Sequence, residues 1–347
     1  MNDTESLQPQ APQKCMNCGS PAVLKEFPNP FCESCRESYI KYPVPLWVKG
    51  FAAVIVAILI FSIYKIPRNI SLGMHLDKAE TAMQDKKYMT SERELKKALN
   101  GIPGNQEMQS ELMMAAFYNG DFSVYDSMMT IISKQQFDNQ DLFGRVQAVV
   151  NEAGTMVPGE NFNVIYARYK NDYNKIPDTA YENYINANAS DVFVRVLYAE
   201  MLSNKKKYTA SDSLLTGVLV QDMEYVPALE GIASNKRVES SPDSSFYYCD
   251  RLLNINKENV YAISSKARTY LSIKKDAEGM ALAQQASALD RTDYYTMETL
   301  ALAYHFANNT RARDDMMREI SALHDSSVDE SLQYVRDVIS GKEKFRN

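Results

Sequence analysis

Residues 260–306, VYAISSKARTYLSIKKDAEGMALAQQASALDRTDYYTMETLALAYHF, decide the fold. Ala267 and Tyr270 in the first helical stretch return 34 residues later as Ala301 and Tyr304, beside Leu300. Between them Gly279, Ala283 and Ala286 place small side chains at helical spacing, and Asp290 stands at the exit. A period of this length is one helix–turn–helix unit, which buries its apolar faces only by stacking on its neighbours. The same ruler extends backward. Val192 onward carries Tyr198, Ala199, Leu202 and Tyr208, and Val226 onward ends in LLNINKEN. Further upstream KKY (86–88) leads to Ser91, Leu95, Ala98, Leu99 and Pro103, and GDF (120–122) to Tyr125, Met129 and Ile132.

Unit starts therefore fall at 72, 106 and 140, and again at 192, 226, 260 and 294. The ruler breaks once, between 140 and 192. The extra residues, MVPGENFNVIYARYKNDYNKIPDTAYENYINANAS (156–190), are punctuated by Pro158, Gly159 and Pro177, which predicts one degenerate unit plus an additional helix, and a bend between two subarrays. At the far end, residues 326–347 read as a capping helix and tail, starting at Ser327 or Asp329, with Leu332, Val335 and Ile339 on one face and Gly341 as the stop.

The repeats over 72–325 resemble the tetratricopeptide repeat, although the tryptophan usual on the first helix is absent. The resemblance implies an all-α solenoid whose functional surface is a concave groove lined by the first helices. In the last two copies it puts Tyr261, Arg268, Leu271, Tyr295, Glu298, Leu302 and His305 on that surface, with Phe117 and Tyr118 near the other end. Aromatic and arginine side chains are the types that anchor partners. The implied ligand is a protein or peptide. The chaperone-binding members clamp a carboxylate with Lys and Asn on their first helices. Ser110 and Met114, or Leu76 and Glu80, stand at those places here, so that ligand class is not expected.

Residues 46–64, LWVKGFAAVIVAILIFSIY, form a separate apolar run. As a helix they would rise roughly 28 Å, close to the roughly 30 Å hydrocarbon thickness of a bilayer. Lys49 lies within a turn of the start, where its stem can follow apolar surface to the headgroups. Trp47 and Tyr64 mark the ends, and Lys65, Pro67 and Arg68 follow. Residues 1–14 have no apolar h-region, so the run is expected to act as an uncleaved anchor.

Four of the five cysteines fall in CMNC (Cys15, Cys18) and CESC (Cys32, Cys35). Two such pairs complete the tetrahedral thiolate set of a structural Zn²⁺, and residues 14–38 resemble a small zinc ribbon, with a hairpin from Ala22–Leu24 back through Phe31. Gly19 relieves the first knuckle, while Arg36 occupies the equivalent place in the second. A redox or metal-sensing use of the pairs, with the solenoid recruiting substrate, is the alternative reading. Residues 1–13 read as a disordered tail and KYPVP (41–45) as a stiff link.

Residues 1–64 balance their charges, so the net charge of −6 belongs to residues 65–347, which does not suit a nucleic-acid partner. His75, His305 and His324 are isolated, no phosphate-cradling loop or nucleophile elbow is visible, and Cys249 falls on a buried helical face. An enzyme is not expected. Basic residues near the apolar run are evenly split, with Arg36, Lys41 and Lys49 before it and Lys65, Arg68 and Lys78 after, so the positive-inside rule gives no orientation. Clustered thiolates persist best in a reducing compartment, which predicts a cytoplasmic ribbon and a solenoid on the periplasmic or outer side.

Overall fold

A computed structural model describes residues 13–41, 44–323 and 326–346. Of the expected tail, residues 1–12 lie outside the described residues, as do Tyr42 and Pro43 of the link. The chain divides into two compact units, one up to Asn69 and one from Ile70 to Asn347. In chain order the helices are α1 (Glu33–Lys41), α2 (Leu46–Gln84), α3 (Tyr88–Leu99), α4 (Gln106–Asn119), α5 (Phe122–Ile132), α6 (Gln140–Ala153), α7 (Glu160–Arg168), α8 (Asp178–Ala187), α9 (Val192–Asn204), α10 (Tyr208–Gln221), α11 (Val226–Val238), α12 (Pro242–Ile255), α13 (Val260–Ser272), α14 (Asp276–Leu289), α15 (Tyr294–Phe306), α16 (Thr310–Ser321) and α17 (Ser326–Ile339). Among the described residues there is no strand.

In the first unit, the apolar segment Leu46–Ile63 of α2 carries no buried residue, and Phe51, Val54, Ile58, Leu59, Ile60 and Ile63 are all exposed. The helix does not stop at Pro67 but runs on to Gln84. A proline removes one intrahelical hydrogen bond, and here it does so without ending the helix.

The second unit is an all-α solenoid of antiparallel helix pairs. First helices begin at 106, 140, 192, 226, 260 and 294, each on the expected ruler, whereas the start expected at 72 falls inside α2, which is continuous from Leu46 to Gln84. Local chemistry sets those starts. Asn105, Asn139, Asp191, Asn259 and Asp293 accept hydrogen bonds from backbone N–H groups of the first helical turn, so the caps recur with the repeat. Each turn between paired helices holds a residue in the left-handed region two places before the second helix: Lys86, Gly120, Lys206, Ser240, Lys274 and Asn308. Small residues set the close crossings. A methyl group on Gly279 would lie 2.7 Å from the Leu271 side chain, and Ala283 and Ala286 are fully buried.

Between α6 and α9 the period lapses into α7, α8 and two short 3-10 turns. This segment has its own core of packed rings: Phe162 stacks on Tyr173, meets Tyr181 at a tilt and Tyr184 edge-on, and Tyr181 lies flat on Tyr198 of α9 at 4.9 Å. The terminal helix α17 begins two residues short of the next step of the ruler. Its Leu332, Val335 and Val338 complete the core over α15.

The two runs of repeats also touch each other. Thr90 donates from its N and Oγ1 to the Glu258 carboxylate at 2.8 and 2.6 Å, and Lys257 N donates to Lys86 O at 2.9 Å. Lys86 Nζ donates to Asn254 O, Asn256 Nδ2 to Tyr118 O, and Tyr225 Oη to Thr155 O. The sequence separations across this seam shrink from 168 to 138 to 70 residues towards the irregular segment, the order expected of an array folded back on itself.

Candidate metal centre and partner groove

The Cys15–Cys18 knuckle closes through Gly19 N donating to Cys15 O and Cys15 N to Ser20 O, with Gly19 at φ +74°, a conformation that suits glycine. The second pair differs from a ribbon knuckle. Cys32 precedes α1, Cys35 lies in its first turn, and Arg36 N donates helically to Cys32 O, so no glycine is needed after Cys35. The expected hairpin reduces to two backbone contacts, Leu24 N to Phe31 O and Met16 N to Pro30 O. Arg36 instead lies over the Phe27 ring, 3.1 Å from its centre.

All four sulfurs lie within 4.8 Å of one another, and Cys18 and Cys32 Sγ are 3.6 Å apart. That is too long for a disulfide and close to the separation of about 3.8 Å that sulfurs have at tetrahedral corners about 2.3 Å from zinc. Backbone N–H groups of Cys18 and Cys32 hold the Cys15 thiol down to about 6. At Cys35 the Asn17 amide acts downward, yet the crowding of Cys32 and Cys18 and partial burial leave it pushed up to about 12. One thiolate forms readily, and a full set of four needs a cation among them. The donor set fits a closed divalent site.

The expected groove residues divide. Phe117, Leu271 and Leu302 are buried in the core and do not line an open groove. The reason is geometric: α13 touches both α11 and α15 directly, so inward-facing side chains fill the space between successive first helices. Arg268 and Glu298 are brought together at 2.8 Å, each about 5% exposed at the side chain. Arg268 also donates to Thr299 Oγ1 and Tyr295 O and lies 3.8 Å over the Tyr295 ring, which stacks on Tyr261. Tyr118 is half-buried against Tyr88, and burial pushes its phenol up to about 12. His305 is half-buried, and burial together with Arg313 and Arg346 lowers its pKa. Cys249 is fully buried, which pushes its thiol up to about 11 and leaves it a poor nucleophile.

Open concave space lies elsewhere. A groove of about 570 Å³ runs over the first subarray past Leu76, Glu80, Met83, Glu107, Glu111 and Arg145, where Arg145 pairs with Glu111 at 2.5 Å. A second cavity of about 460 Å³ sits where the subarrays meet, between Phe122 and Tyr125 on one side and Phe193, Val196 and Tyr225 on the other. The repeat ruler carries no signal for this second space, because it arises from contacts between subarrays.

The helix pairs and their period define a tetratricopeptide-like α-solenoid, accompanied by a four-cysteine module able to hold a metal. No protein-family model matches the chain, and no curated protein matches it by sequence. Solved structures similar to it include a tetratricopeptide repeat protein from Parabacteroides merdae, 13% identical over 77% of this chain and 99% of that one, with a TM-score of 0.42. Yeast Tom70 is 11% identical over 73% of this chain and 60% of its own, TM-score 0.38. A third is PilF of Pseudomonas aeruginosa, 11% identical over 78% of this chain and 98% of its own, TM-score 0.33. The fold assignment rests on the helix pairing and period in this chain.

Proposed function

We propose that this chain is a membrane-anchored scaffold that binds protein or peptide partners on the concave side of its solenoid. The observation that carries the reading is the pairing of a partner-binding architecture with a wholly exposed apolar segment, Leu46–Ile63. Such a surface is stable out of water only against lipid. Residues 14–38 form a structural Zn²⁺ module, with Cys15, Cys18, Cys32 and Cys35 as the ligands, placed in the cytoplasm, and the solenoid lies on the periplasmic or outer side. The groove residues offered to a partner are Tyr118 and His305, with Tyr261, Tyr295 and the buried Arg268–Glu298 pair shaping the wall behind them.

Photo-crosslinking residues placed at Tyr118 and His305 of the full chain, in its own cells, test the reading. Discrete crosslinked bands at either position support it, and a uniform absence of adducts at both overturns it. Metal analysis of the purified chain should find zinc, lost in Cys32→Ser, and protease added to sealed spheroplasts should digest the solenoid while sparing an amino-terminal tag.

A further inference from the structure

The cavity between the subarrays has a chemistry of its own. Its walls are apolar: Phe122, Tyr125 and Met156 from the first subarray, Phe193, Val196 and Tyr225 from the second. The ionisable side chains lining it, apart from the Tyr225 and Tyr125 phenols, are the carboxylates of Asp126 and Glu200, both exposed, and no basic side chain lines it. The neighbouring rim adds further carboxylates, together with one basic group, Arg251, whose guanidinium donates to the Met223 carbonyl. Glu152, beside the lining residue Ala153, has its carboxyl raised first by burial and then by the neighbouring carboxylates of Asp222 and Glu224. Apolar surface continues onto that rim, where Val157 is 59% exposed and Met223 is 71% exposed.

We infer that this cavity is a docking site for a partner segment of amphipathic, cationic character, one that presents apolar side chains flanked by lysine or arginine. The inference rests on the partner-binding reading above and adds the place and the chemistry. The volume suits two or three apolar side chains, within the range of about 300–1,000 Å³ typical of ligand pockets. Apolar contacts supply affinity, and the carboxylates at the mouth select the flanking charges. An acidic segment would meet Asp126, Glu200 and Glu152 with like charge, so the site discriminates by repulsion as well as attraction. The wall groups come from both subarrays, so occupancy also holds the two together.

The probe is a short, dye-labelled peptide of alternating leucine and lysine, titrated by fluorescence anisotropy against the full chain in nanodiscs of neutral phospholipid, with empty nanodiscs subtracted. Saturable binding is expected, weakened about five- to thirtyfold in the double variant Asp126→Asn/Glu200→Gln, since each exposed ion pair contributes about 0.5–1 kcal/mol. Both side chains are exposed, so the variant should keep its helical circular dichroism spectrum. The leucine–glutamate counterpart should not bind, and Phe193→Ala should weaken the leucine–lysine peptide as well. Equal binding of the acidic peptide, or affinity unchanged in the double carboxylate variant, overturns the inference. The crosslinks at Tyr118 and His305 decide the broader reading independently, so partner capture there with a peptide indifferent to Asp126 and Glu200 would remove this site and leave the scaffold.

Discussion

Arg268 and Glu298 show how a charged pair can sit buried inside a helical repeat. Arg268 spends its donors on Glu298, Thr299 and Tyr295 O, while Glu298 Oε1 is buried without a partner. Removing one member strands the other, so Glu298→Ala should cost about 3–5 kcal/mol in denaturant unfolding. Arg268→Met combined with Glu298→Leu should recover most of that loss. Glu230 makes a pH-dependent case. Burial raises its carboxyl to about 7, against a lowering hydrogen bond from Asn259 and with a further push from Asp293. An unfolded glutamate titrates near 4.3, so the folded state holds the proton more tightly, and the group's contribution is full below about pH 4 and lost as pH rises through about 7. Glu230→Gln should therefore match the parent near pH 4 and exceed it by about 3–4 kcal/mol at pH 8, measured as the difference between two urea transitions.

Helices and turns were the most legible level, because caps, small residues and spacing all repeat. The spacing alone gives the starts at 106, 140, 192, 226, 260 and 294, and Asn105, Asn139, Asp191, Asn259 and Asp293 cap five of them, while the start at 226 has Pro227 in its first turn and no side-chain cap. Two features were not legible. The irregular segment 156–190 carries turn residues but no second copy to compare with, so Phe162 and its tyrosine neighbours could not be recognised as a core. The groove positions obeyed helical spacing, but how closely successive first helices approach depends on the curvature of the whole stack, and that buried Leu271 and Leu302. The left-handed turn residues offer a test of local strain. Lys274 has φ +64° at a place where Gly120 serves the equivalent turn. A side chain there costs about 1–2 kcal/mol, which glycine relieves while giving back part in unfolded-chain entropy. Lys274→Gly should raise stability by about 0.5–1 kcal/mol, and a loss in thermal unfolding would show that the lysine side chain stabilises that turn.

At the scale of the whole repeat unit, the seam between subarrays governs how the concave spaces open. Its hydrogen bonds join turns of the first subarray to inter-repeat loops of the second, and the Thr90–Glu258 contact is the strongest of them because a carboxylate accepts from both a backbone N–H and a hydroxyl. An unpaired superhelix would leave those turns in water with no loss of secondary structure, so helix content cannot report the seam. Lysine chemistry can. Lys86 and Lys87 sit on one side, and Lys257, whose backbone N–H donates to Lys86 O, sits on the other. A short amine-reactive crosslinker applied to the dilute full chain should join Lys86 or Lys87 to Lys257 within one molecule, identified by mass spectrometry. Thr90→Ala with Glu258→Ala removes the charge-assisted contact and should lower that yield several-fold, while crosslinks between lysines within one subarray stay constant. If the parent gives no such link under conditions where the internal controls appear, the subarrays stand apart in solution and the cavity between them does not form. If the link survives the double substitution unchanged, the apolar walls around Phe122 and Tyr225 and the remaining hydrogen bonds hold the seam without the Thr90–Glu258 contact.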